Sequence, residues 1–99
     1  MLLIMKNRYE RIHEILEAAF KPSLLEIVDE SAKHAGHAGL KGLPAGETHY
    51  QVRMVAAALA GQSRVARSRA VHEALDVEFK SGLHALSLKL QTPEEAAVG

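Results

Sequence analysis

Apolar side chains recur in two rhythms along this chain, and the changes between them mark out its elements. Tyr9, Ile12, Leu16 and Ala19/Phe20 stand three or four residues apart, the spacing that lines up one face of a helix. Asn7 with Glu10 three residues later is a capping pair for its start. Pro22 closes it, because the residue before a proline is pushed out of the helical region. The spacing therefore predicts a helix over 8–20. Residues 24–31 are short, apolar and then acidic, with Leu25 and Ile27 alternating around Glu26, and predict a strand. Tyr50, Val52, Met54 and Ala56 alternate with Gln51 and Arg53 in a second, half-buried strand.

An alanine run broken by Gly61 follows, of ambiguous type. Ser63 can then cap a second helix over about 64–80, with Val65, Val71, Leu75 and Phe79 as its buried side and Gly82 just past its end. Leu86, Leu88 and Leu90 share one face of a third strand over 83–91. Thr92-Pro93-Glu94-Glu95 carries a cap, a proline at the first helical position and a glutamate three after the cap, the start of a short final helix.

The order is helix, strand, strand, helix, strand, short helix: a single small α+β domain over 1–99 with a three-stranded mixed sheet and no internal repeat. The first two strands run antiparallel. The second helix, about 24 Å long at 1.5 Å per residue, is long enough to carry the chain back along a strand of about 26 Å. The third strand then lies parallel to the second. The end of strand one and the starts of strands two and three share one sheet edge, and His34, His37, His49 and His84 are attached there.

Residues 33–49 give that edge its interest. They hold three of the six histidines and four glycines but almost no bulky apolar side chain, so they cannot build a core. Long glycine-rich loops in short chains are functional or disordered, and the histidines favour function. Neutral imidazole suits iron, zinc and copper, although an HxxH pair can equally be two solvated loop residues. His49 reads as structural, its ring oriented by hydrogen bonds that close the loop. His13 and His72 read as surface or packing residues on helices.

The chain has no cysteine, which excludes a disulfide framework and a self-contained thiolate metal site. Twelve basic residues balance twelve acidic ones, so no overall field draws it to DNA or membrane. The charge is nonetheless segregated, with no acid between Thr48 and His72, where Arg53, Arg64, Arg67 and Arg69 lie. These helix arginines can meet phosphates, a carboxylate surface on a partner, or only solvent. The apolar opening MLLIM lacks the pattern of a signal peptide, and no run reaches the length of a membrane span; a soluble, cytoplasmic protein is expected. Ser31 has no evident base in register, Glu47 reads as a loop anchor, and no phosphate-cradling glycine motif follows a strand. No catalytic pair emerges, and a non-enzymatic protein is expected.

Several blocks in order, LLEIVDES (24–31), HAGHAG (34–39), PAGETHY (44–50), RVARSR (64–69) and GLHALSL (82–88) running into TPEE, make the sequence resemble the BolA family over nearly its whole length. The resemblance implies a fold similar to a class II KH domain, without the GxxG loop that holds nucleic acid there. It also implies two roles. One is partnership with a monothiol glutaredoxin, the pair sharing a 2Fe–2S cluster for trafficking or iron sensing. The other is DNA binding in transcriptional control of stress response and cell morphology.

The family's cluster ligands match His34 and His84, with His37 a second loop candidate. The nucleic-acid surface would draw on Arg64, Arg67 and Arg69. At Ser68 this chain departs from the Arg-His-Arg common in the family, and His72 stands where an aromatic is often found. Cluster chemistry agrees with a shared site. Such a cluster takes four ligands, usually thiolates, with two histidines possible on one iron. Two histidines and no thiolate mean that the missing ligands come from a partner, as the glutaredoxin cysteine and glutathione that the resemblance implies would supply, and no cluster is expected on the isolated chain. Whether the free chain forms a weak homodimer stays open. A histidine–metal hydrolase is the third reading, for which the sequence offers neither base nor pocket.

Overall fold

Three helix starts are written in local side chains, and the computed structural model, which describes residues 7–30 and 48–98, shows each one closed. Asn7 Oδ1 accepts the Glu10 N–H at 2.8 Å and opens α1 (Arg8–Phe20). Ser63 Oγ accepts the Ala66 N–H at 3.1 Å and opens α2 (Arg64–Ala74). At α4 (Pro93–Val98) the box is reciprocal: the Thr92 N–H donates to Glu95 Oε1 at 2.8 Å and the Glu95 N–H to Thr92 Oγ1 at 3.2 Å. At its far end α1 stops where Lys21, directly before Pro22, turns left-handed at φ 48° and returns its N–H to Glu17 O.

The strands have the expected directions, and β2 lies between the other two. Strand β1 (Leu24–Asp29) pairs antiparallel with β2 (His49–Val55), and β2 pairs parallel with β3 (Ala85–Gln91). A short 3-10 turn over Ala57–Leu59 occupies the ambiguous alanine run, and Gly61 takes φ +80° just after it. The four α-helices of the described residues and this mixed sheet make a small α+β fold. Ile12 and Leu16 of α1, Ile27, Tyr50, Val52 and Met54 of the sheet, and Val71 and Leu75 after the crossover form one buried cluster. Leu86, Leu88 and Leu90 pack against it. The opposite sheet face carries Glu26, Gln51 and Lys89 in the open.

Two expectations fail, for one reason. The second helix is broken: α2 ends at Ala74, Leu75 sits at φ −98° and ψ 13°, and α3 (Asp76–Lys80) follows. The break turns Glu78 inward, where it is 2% exposed. The buried faces also differ from the apolar stripes. Val65 is 65% exposed and Tyr9 42%, while Arg67 joins Val71 and Leu75, and Arg8 joins Ile12 and Leu16, at helical spacing. A stripe rule assigns those positions to apolar residues; here two arginines hold them because carboxylates on other elements meet their charge.

Candidate ligand edge

The parallel pairing of β2 with β3 brings distant histidines together. Thr48 O, just ahead of β2, accepts both the His84 N–H at 2.8 Å and the Ala85 N–H at 3.0 Å. The end of β1 joins the same edge through the Glu30 N–H, which donates to His49 O at 2.8 Å. The His49 and His84 rings lie 5.8 Å apart, tilted by 50°. Thr48 Oγ1 and His49 Nδ1 are 2.9 Å apart, a hydrogen bond that orients the ring as expected of a loop-closing residue. The His84 side chain is exposed. His34 and His37 lie outside the described residues, yet the positions bracketing their segment, Glu30 and Thr48, both stand at this edge.

Sequence reasoning missed what holds His84 there. Arg8 Nη1 donates to Glu78 Oε1 at 2.9 Å, to Glu78 O at 3.0 Å and to Ser81 Oγ at 3.0 Å, and Nη2 donates to Ser81 O at 3.2 Å. Arg11 Nε reaches the other Glu78 oxygen at 2.9 Å. The Leu83 N–H closes onto Glu78 O. Gly82 makes the turn at φ +127°, and a Cβ there would stand 3.1 Å from Arg8 Nη2. A buried ionic cluster thus clamps the turn that delivers His84 to β3. A glutamate inside an otherwise helical stretch just before a glycine was the only available signal.

The arginine helix resolves into different roles. Arg64 and Arg69 are exposed. Arg67 is 8% exposed and grips Glu95 with Nη1–Oε1 at 2.6 Å and Nη2–Oε2 at 3.1 Å, also donating to Gln62 O and Leu90 O. The Arg67 hydrogen bond, followed by the Thr92 N–H, lowers the Glu95 carboxyl from 4.5 to about 2. Glu95 in turn raises Arg67 above its ordinary value. His72 holds Ser68 O through Nδ1 at 2.8 Å and stacks on Phe79 with centroids 5.2 Å apart, doing the packing work of an aromatic. His13 lies half-exposed, 3.9 Å from Glu17.

Comparison with known proteins agrees with this architecture. The family model for BolA-like proteins matches residues 16–95. The chain is 46% identical over 91 residues to SufE-like protein 1, chloroplastic/mitochondrial, of Arabidopsis thaliana, covering 90% of this chain but only 24% of that protein. It is 39% identical over 87 residues to the DNA-binding transcriptional regulator BolA of Escherichia coli, covering 87% of this chain and 76% of the relative. Its structure is similar to that of BolA1 from Arabidopsis thaliana, with a TM-score of 0.82 at 42% identity over 93% of this chain and 98% of the other. Relatives are named as BolA proteins and as a transcriptional regulator, and among the described residues no helix is long and apolar enough to cross a membrane.

Proposed function

The chain belongs to the BolA-like family, and from that premise we propose that it binds a monothiol glutaredoxin and shares a 2Fe–2S cluster with it, in cluster trafficking or iron sensing. The observation that carries this reading is the placement of His84, an exposed imidazole whose backbone is pinned to Thr48 at the edge where the histidine-bearing segment departs and returns. His84 would serve as one ligand and His34 as the other, with His37 in reserve. The donor chemistry fits half a site: imidazoles can occupy two positions on one iron, and a chain without cysteine has no thiolate for the rest. A glutaredoxin cysteine and glutathione would supply it. The cluster, when bound, is a transferable iron–sulfur unit; this chain's part is to orient an imidazole and dock a partner, with no catalytic step.

The test mixes the protein with glutaredoxin, glutathione, iron and sulfide and records visible absorption and affinity. His84→Ala is expected to change the spectrum and weaken the mixed complex. An unchanged spectrum and affinity would overturn the reading.

A second reading, a DNA-binding transcriptional regulator, rests on the acid-free stretch from Thr48 to His72 and on the relative from Escherichia coli named for that activity. Arg64 and Arg69 would contact phosphate, while Arg67, held by Glu95, would brace the helix that presents them. Retardation assays at several salt concentrations decide it. Replacing both Arg64 and Arg69 should weaken binding and flatten its salt dependence; indifference to their loss would remove this surface from the reading.

A further inference from the structure

An open groove of about 530 Å³ runs between α2 and β3, and apart from Arg64 and Arg67 neither reading above draws on its lining. Arg64, Ser68 and His72, four residues apart on one face of α2, form one wall, and the half-buried Leu86, Leu88 and Leu90 form the floor. The strand beneath is an edge, since among the described residues β3 pairs only with β2. Ala85 donates its N–H to Thr48 O, and Gln91 O accepts from the Ala56 N–H, so the odd-numbered residues turn their backbone groups toward β2. By the alternation of a strand, Leu86, Leu88 and Leu90 turn theirs outward. Arg67 Nη1 takes the Leu90 carbonyl at 3.3 Å. Among the described residues nothing takes the outward N–H and C=O of Leu86 and Leu88, which remain for another chain.

We propose that this groove receives an extended acidic segment of a partner protein, which adds as a strand to β3 and places apolar side chains at alternate positions over the leucines. Strand addition draws affinity from main-chain hydrogen bonds and specificity from alternate side-chain pockets, and both are present here. Charge complementarity sets the acidity: exposed Arg64 stands on the helix side of the β3 edge and exposed Lys89 on the opposite sheet face, so an added strand meets a cation on each side; among the described residues no Asp or Glu lines the groove, and Arg67 is already matched by Glu95. Single-stranded nucleic acid fits less well, because such sites stack bases on aromatic rings. Among the described residues the one ring lining this groove, His72, is stacked on Phe79.

The test uses the whole chain and a synthetic peptide of alternating leucine and glutamate matched in length to β3. Binding should slow amide exchange at Leu86 and Leu88. Methylating the peptide nitrogens that face the strand should weaken binding by at least about tenfold, and so should Arg64→Glu combined with Lys89→Glu, two exposed substitutions whose fold is checked by thermal melting. Unchanged exchange at Leu86 and Leu88, equal binding of the methylated peptide, or the absence of binding would each overturn the proposal. So would a single-stranded oligonucleotide that displaces the peptide and slows exchange at the same two amides, which would assign the groove to nucleic acid. His84→Ala should leave peptide binding intact, which separates this outcome from the fate of the cluster reading.

Discussion

Arg8 and Arg67 are both drawn out of solvent by a glutamate, but the two clamps sit in different surroundings. Glu78 is 2% exposed and serves two arginines, Arg8 and Arg11. The Glu95 side chain is 47% exposed and serves one. The first clamp braces the turn before His84; the second ties α2 to the end of β3 and to α4. Removing one partner of a buried ion pair leaves a charge without compensation, whereas water can replace the partner of a half-exposed one. The same two residue types therefore make a structural keystone in one place and a pH-dependent tether in the other.

That contrast orders the expected effects. Glu78→Ala strands Arg8 in the interior and should cost about 3–5 kcal/mol of stability, read by chemical denaturation. A loss no larger than that of Glu95→Ala would erase the distinction between the clamps. Gly82→Ala puts a side chain on a backbone at φ +127° and against the Arg8 guanidinium, so it should cost about 1–3 kcal/mol and weaken partner binding through the displaced His84. Stability lost without any change in binding would show that the turn does not position the histidine.

The Glu95 clamp carries its signature in pH. The Arg67 and Thr92 hydrogen bonds lower its carboxyl from 4.5 in the unfolded chain to about 2 in the fold, so between those values the unfolded chain binds the extra proton. The stabilisation is thus complete above pH 4.5 and disappears as the pH falls toward 2. Denaturation of wild type and Glu95→Gln across that range should show a gap that closes on acidification; a constant gap would mean that packing, not charge, joins α4 to α2. The smallest effect belongs to His84→Ala. As an exposed side chain away from such features, it should change stability by no more than about 0.5 kcal/mol, so that any loss of the cluster complex reports ligation and not folding.

The features legible in the sequence were those that nearest neighbours determine. Asn7, Ser63 and Thr92 with Glu95 mark helix starts because a cap closes within three residues. The alternation around Val52 and Met54 marks a strand because the pleat has a period of two. Chain direction followed from the length of the crossover, and with it the meeting of His49 and His84 at one edge. Three further facts depended on partners far along the chain. Arg8 and Glu78, separated by 70 positions, look like surface charges until packing brings them together; the break at Leu75 and the burial of Glu78 belong to that pairing. Arg67 reads as one more basic residue on a helix until Glu95 closes over it. The groove needed an edge strand and a helix wall to exist at all. Local hydrogen bonding and periodicity are properties of short segments and survive in the one-dimensional text, but the fate of a charge depends on which carboxylate and how much water reach it, and only the folded chain decides that.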